Sequence, residues 1–205
     1  LIKYMSLFFE SIKIENGKPV NIFYHNERMN RTRREVLKIK DEIDLDKFID
    51  VSYLSTEMIY KCRVLYDYDI KKIEFVEYNK RIIKTIIPVK ADEISYDYKF
   101  ANRSAIDNLK DENTKSHDEE ILIVKKGFIT DTSFSNIILF DGKRWYTPNE
   151  CLLRGTQRAK LLSGNKIVAS SIRLEDLKHF KEIKLINAMV DFDDAETLPI
   201  SVVKI

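Results

Sequence analysis

Most of the residues able to do chemistry gather between Gly127 and Arg158, GFITDTSFSNIILFDGKRWYTPNECLLRGTQR. Asp131 sits at the centre of a polar segment, Thr130 to Ser133, that interrupts apolar sequence. Leu153-Arg154-Gly155-Thr156-Gln157-Arg158 opens a helix that continues through Ala159, Leu161 and Leu162. The N–H groups of a helix's first turn have no intrahelical acceptors and carry the positive end of its dipole, so such a start takes anions readily. A carboxylate in apolar surroundings and an anion-binding helix start suit a cofactor with a cationic ring and a phosphate. The connecting elements follow from pattern. Gly127 allows a tight approach to a strand. Asn136 leads into Ile137-Ile138-Leu139-Phe140, which reads as a buried strand. Asp141-Gly142 is a strong hairpin signal, Lys143 to Thr147 returns as the second strand, and Thr147-Pro148-Asn149 interrupts the sheet.

The remaining chain supplies an α+β framework. Ser6 to Ile14 reads as a strand, Glu15 to Pro19 as a turn and Val20 to Tyr24 as a returning strand. A basic helix follows from about Met29 to Ile39. Leu45 to Phe48 and Val51 to Leu54 are ambiguous between a short helix and its exit. Met58 to Tyr66 and Ile70 to Tyr78 read as strands, the second alternating and half exposed. Arg81 to Val89 is a strand that Pro88 ends, and Ala91 to Tyr98 a loop or edge. Lys99 to Leu109 looks helical, and Lys110 to Glu120 is a polar surface loop. Ile121 to Val124, Lys166 to Ser170, Ile183 to Ile186 and Leu198 to Ile205 read as strands. Leu174 to Phe180 is a short helix, and Asp191 to Glu196 an acidic loop. Strand and helix alternation also permits a doubly wound sheet, but no glycine-rich nucleotide loop supports one.

Composition narrows the classes. The chain has 205 residues, 44% of them hydrophobic, enough for one large domain or two small ones. With 35 basic and 33 acidic residues the net charge is +2, which gives no electrostatic case for nucleic acid or a membrane surface. Cys62 and Cys151 are too few for a disulfide framework or a zinc cluster and are expected as buried or idle thiols. No apolar run reaches membrane-spanning length and Leu1 to Phe9 lacks a signal-peptide layout, so a cytoplasmic protein is expected, with Met5 as its natural start.

The order Gly127, Ile129-Thr130-Asp131, Ser135-Asn136, Asp141-Gly142, Thr147-Pro148, Leu153-Arg154-Gly155 and Arg158 resembles the signature of the class IV aminotransferases, the fold-type IV pyridoxal-phosphate enzymes. Two further motifs extend the resemblance. Lys99-Phe100-Ala101-Asn102-Arg103 resembles the Lys-x-x-Asn-Arg form of the lyase-like members and lies 32 residues before Asp131. His25-Asn26-Glu27-Arg28-Met29 resembles the family's His-x-x-Arg-hydrophobic motif.

The resemblance implies a two-domain α+β structure like that of D-amino-acid aminotransferase. A small N-terminal domain would span residues 1–79, and a β-rich domain over 80–205 would carry the Schiff-base lysine. Pyridoxal 5'-phosphate would lie between the domains of a homodimer. Lys99 would be the catalytic lysine, its amine desolvated and kept neutral by Tyr98 and Phe100. Asp131, where members usually have Glu, would hold the ring nitrogen. Its alternative role is to close a strand end with Thr130 and Thr132 as partners. Arg28 would meet the phosphate, or else be one more solvated charge in a run with Arg31, Arg33 and Arg34. His25 reads as a local hydrogen-bonding residue. Further cofactor contacts would come from Asn136, Gly155, Thr156, Gln157, Asn187 and Ala188. Members often have Ile-Thr in place of Thr156-Gln157, and Ser and Thr near Asn187-Ala188. The chain is short for the family, which implies trimmed pocket loops.

The implied substrate is a small-molecule amine. The implied reaction is conversion of 4-amino-4-deoxychorismate to 4-aminobenzoate and pyruvate, a step of folate biosynthesis. The alternatives are a branched-chain or D-amino-acid aminotransferase on the same scaffold and a non-catalytic descendant.

Overall fold

The computed structural model describes residues 7–204. Met5 as the start, the first residue of the expected Ser6 strand, and Ile205 lie outside them. The chain divides into two compact units: one runs through Asn79 and includes Tyr98–Asn102, and the other comprises Lys80–Asp97 and the chain from Arg103. Lys99, expected on the second domain, therefore packs with the first unit.

The first unit is an antiparallel sheet in the order β2-β1-β3-β4, formed by β1 (Phe8–Glu15), β2 (Lys18–Pro19), β3 (Tyr60–Tyr66) and β4 (Ile70–Glu77). Alternation along a strand sends Phe8, Glu10, Ile12 and Ile14 to one face. There the apolar three join Cys62, Val64, Tyr66, Met29 and Leu45 in the core. Val20 to Tyr24, expected as a strand, instead turns at Asn21 (φ 57) and starts helix α1 (Ile22–Thr32). Tertiary burial overrides the β propensity of these residues: His25, Arg28, Met29 and Thr32 recur at helical spacing and are all buried. A π-helical turn, Arg33–Leu37, continues the helix to Lys38 at φ 63. Arg33 does not belong to a solvated basic face. It is buried, and its guanidinium donates to Asp41 O (2.5 Å) and Tyr68 O (3.1 Å).

Tyr98–Asn102 is irregular rather than helical, with one bridge, Phe100 to Phe8. Phe9 N–H donates to Lys99 O (3.0 Å) and Ala101 N–H to Leu7 O (2.7 Å), so β1 holds the backbone of this segment. The helix expected from Lys99 is α2 (Ser104–Asn113), and it takes up the start of the expected polar loop.

The second unit contains two sheets. One has the order β5-β6-β7, from β5 (Thr85–Lys90), β6 (Glu119–Lys125) and β7 (Phe128–Thr132). The other has the order β10-β9-β8-β11-β12. Its strands are β8 (Asn136–Phe140), β9 (Trp145–Pro148), β10 (Val168–Ser170), β11 (Glu182–Ile186) and β12 (Leu198–Pro199), with helix α3 (Thr156–Ser163) between β9 and β10. Lys126 and Gly127, at φ 51 and 84, make the tight turn between β6 and β7. Ile86, Leu122, Ile129, Ile137, Leu139, Leu177 and Ile183 form the core. Pro88 does not stop its strand: it pairs with Leu122 inside β5, which ends its sheet, whereas Pro148 is the last residue of β9, where the sheet was expected to break. The last expected strand is interrupted among the described residues: it pairs at Leu198–Pro199, passes through a 3-10 turn, Ile200–Val202, and bridges Ile86 at Val203, where Lys204 N–H donates to Ile86 O (2.9 Å).

Candidate active site

In the second unit the chemistry collects where β7, β8 and the start of α3 meet. Asp131, 4% exposed, accepts from Leu153 N–H (2.9 Å) and from the Asn136 side-chain amide (2.8 Å). The same amide donates to Leu153 O (2.9 Å). Asn136 Oδ1 lies where Gly155 has no side chain: a Cβ there would approach it to 2.0 Å. Asp131, Asn136 and Gly155 thus form one contact set that fixes the approach to α3. Gly155 O accepts the first helical bond, from Ala159 N–H (2.9 Å), so the positive dipole end of α3 lies at Gly155-Thr156-Gln157. Thr156 and Gln157 are buried there. Arg158 ties the helix to β9 by donating to Pro148 O (2.9 Å) and Thr147 Oγ1 (3.2 Å).

Asp131 does not close a strand end with its threonine neighbours. The hydroxyls of Thr130 and Thr132 donate instead to Ile123 O (2.8 Å) and Ser135 O (3.1 Å). Burial pushes the Asp131 carboxyl up to about 6, against the lowering effect of the Leu153 N–H, the Asn136 amide and the more distant Arg158 charge. A buried carboxylate bonded to neutral donors is a receptor for a cation.

The loop joining β7 to β8 is clamped at one residue. Ser133 N–H donates to Glu120 Oε1 (3.2 Å), and Ser133 O accepts from Arg103 Nη2 (2.6 Å). Asn187 reaches this loop through Ser135 Oγ (2.9 Å), while its Oδ1 accepts from Met189 and Val190 N–H (2.8 and 3.1 Å). Its amide therefore holds a turn, on which Ala188 is half-buried.

In the first unit Lys99 and Arg28 are both held by the dipeptide Phe9-Glu10. The Lys99 Nζ lies 4.5 Å from the centre of the Phe9 ring, and the Arg63 guanidinium lies 4.8 Å from the same ring. Arg28 is not a solvated surface charge. It is buried, and its Nε and Nη2 donate to the two oxygens of Glu10 (2.9 and 2.5 Å). His25 Nδ1 meets Glu10 Oε2 at 2.6 Å, a partner fifteen residues away rather than a local one. Burial would push the Glu10 carboxyl up, but Arg28 and His25 outweigh it and hold it near 2. Burial holds His25 below its ordinary value despite Glu10, so it is a neutral imidazole at neutral pH.

Each unit by itself carries part of what pyridoxal phosphate demands: the second a cation-receiving carboxylate and an anion-receiving helix end, the first an amine and an arginine. A model of the class IV amino-transferase family matches residues 80–194. An uncharacterized protein of Haemophilus influenzae is 40% identical over 184 residues, covering 88% of this chain and 96% of that protein. The chain belongs to the class IV aminotransferases. Family members are pyridoxal-phosphate enzymes, and this member is accordingly an enzyme of that cofactor. Its structure matches that of a proposed 4-amino-4-deoxychorismate lyase from Haemophilus somnus at TM-score 0.83 and 36% identity, over 92% of this chain and 99% of that one. A hypothetical aminotransferase from Mycobacterium tuberculosis in its PLP-bound form shares the fold, at TM-score 0.75 and 14% identity, over 94% and 80% of the two chains.

Sequence reasoning missed Glu10 and Glu120, and placed Arg103 in the Lys-x-x-Asn-Arg motif without giving it a contact. For Glu10 a signal was present. FFESIKI is apolar at Phe8, Ile12 and Ile14, and Glu10 falls in phase with them. An acid on the inward face of a strand needs a buried cation.

Proposed function

We propose that the enzyme is a lyase that converts 4-amino-4-deoxychorismate to 4-aminobenzoate and pyruvate. The observation that carries this reading is the near end-to-end likeness to the Haemophilus somnus protein of that description, 36% identical over 99% of its chain. The Lys-x-x-Asn-Arg motif supports it: Lys99 lies against Phe9, and Arg103 is the residue that grips Ser133.

Pyridoxal phosphate, when bound, supplies an electron sink joined to the substrate amine. Asp131 would hold the ring nitrogen protonated. Its carboxyl, raised to about 6 by burial, returns to the ionised form when a cation is placed beside it. Gly155, Thr156, Gln157 and Arg28 would receive the phosphate, and Asn136 keeps Asp131 and Gly155 in register. Lys99 Nζ would take the proton from the amine-bearing carbon, the enolpyruvyl oxygen would leave as its bond to the ring carbon breaks, and Lys99 would return the proton to the enolpyruvyl methylene carbon, which gives pyruvate and leaves the ring aromatic. The active assembly is a homodimer.

The test is pyruvate release from 4-amino-4-deoxychorismate by wild type and Lys99→Ala. Stoichiometric pyruvate and 4-aminobenzoate from wild type alone support the reading. Amino-group transfer to a keto acid without pyruvate would assign an aminotransferase instead. Absence of any visible absorbance band with added cofactor would remove both.

A further inference from the structure

We propose that Glu10 is a positioning residue for cofactor binding: it aims the Arg28 guanidinium at the phosphate, and Phe9 beside it carries Lys99 on the opposite face of β1. The inference rests on the reading that Arg28 meets the phosphate.

Successive strand residues point to opposite faces. On one face the Phe9 ring carries the Lys99 Nζ at 4.5 Å, and the Phe9 N–H donates to Lys99 O at 3.0 Å. On the other, Glu10 takes Nε and Nη2 of Arg28 and Nδ1 of His25. Two adjacent residues thus anchor both groups.

Stability does not explain an acid at this place. Glu10 is fully buried, pairs across the sheet with Val64, and lies in phase with Phe8, Ile12 and Ile14. Well-packed apolar residues replace such buried ion pairs with no loss of stability, and often with a gain. A carboxylate contributes what they lack, a fixed orientation. Its two oxygens match one edge of the planar guanidinium and leave the arginine a single geometry. His25 is the second support. Its bond to Oε2 limits rotation of the carboxylate, and burial keeps the ring neutral so that it adds no competing charge.

The test compares dissociation constants for pyridoxal phosphate and for pyridoxal, which lacks the phosphate, in wild type, Glu10→Gln and Arg28→Lys. Glutamine keeps the shape of Glu10 but turns an N–H2 toward donors. The expected result is a loss of about tenfold or more in pyridoxal-phosphate affinity in Glu10→Gln, roughly 1.4 kcal/mol or more, with pyridoxal affinity unchanged. The double variant should bind no more weakly than Arg28→Lys alone, because both act through one contact. Unchanged pyridoxal-phosphate affinity in Glu10→Gln, or equal losses for both ligands, would overturn the proposal. If Glu10→Gln does not fold, His25→Asn takes its place: it should lower the preference for the phosphorylated ligand, and an unchanged preference would overturn the proposal. Failure of the wild type to prefer pyridoxal phosphate over pyridoxal would instead remove the role of Arg28, and is told apart by that control.

Discussion

Glu10 and Asp131 are both carboxylates removed from water, one in each unit, and their environments drive them in opposite directions. Glu10 is met by a guanidinium and an imidazole and is held near 2. Asp131 is met by a peptide N–H and a carboxamide and is pushed up to about 6. Burial acts with the same sign on both, so the partners decide. Glu10 is a completed ion pair, and its task is to hold another group still. Asp131 receives hydrogen bonds from neutral donors and no contacting charge among the described residues, which suits a ligand that brings its own.

Removing the partner of a completed pair should have the largest effect. Glu10→Ala leaves Arg28 charged and unpaired in the core and should destabilise the protein by about 3–5 kcal/mol, read by urea unfolding. A change near zero would mean that solvent reaches Arg28.

Asp131→Asn should behave in the opposite way. In the folded protein the Asp131 carboxyl titrates near 6, above its ordinary 3.8, so the native state binds more protons between these values. Apoprotein stability should therefore fall as pH rises from about 4 to 6, by about 3 kcal/mol in all. In Asp131→Asn that slope should vanish, while turnover with the cofactor drops by about a hundredfold or more. Glu10, with its folded value lowered, contributes stability that is complete above 4.5 and lost as pH falls toward 2. Unfolding free energies measured from pH 3 to 8 on both variants separate the two groups. A persistent slope between 4 and 6 in Asp131→Asn would assign it to other residues.

A smaller change tests the contact set around Asp131. Gly155→Ala places a Cβ 2.0 Å from Asn136 Oδ1, so the amide must move from Asp131 and Leu153. The expected cost is about 1–3 kcal/mol in stability, with weaker cofactor binding. Asn136→Ala in the Gly155→Ala background removes the clash and should restore part of the stability but not the binding. An unaltered melting temperature in Gly155→Ala would show that the turn has room the structure does not reveal.

The sequence alone determined the family, and through it the fold type and cofactor. That information lies in local chemistry: a glycine where no Cβ fits, a hairpin turn, a helix start, an acid interrupting apolar sequence. Such features need only neighbours along the chain. The tertiary structure decided what the side chains touch. Ile22 to Thr32 is a helix because one of its faces is buried against the sheet, although Val20 to Tyr24 favours a strand. Lys99 stays out of the helix because β1, some ninety residues earlier, offers its carbonyl a backbone donor. Pro88 stays in a strand because β5 lies at the edge of its sheet. Only the fold shows that Arg28 belongs to Glu10 and Asp131 to Asn136 and Leu153. The burial and partners that separate the two carboxylates arise from residues distant in sequence, and no local pattern encodes their distances.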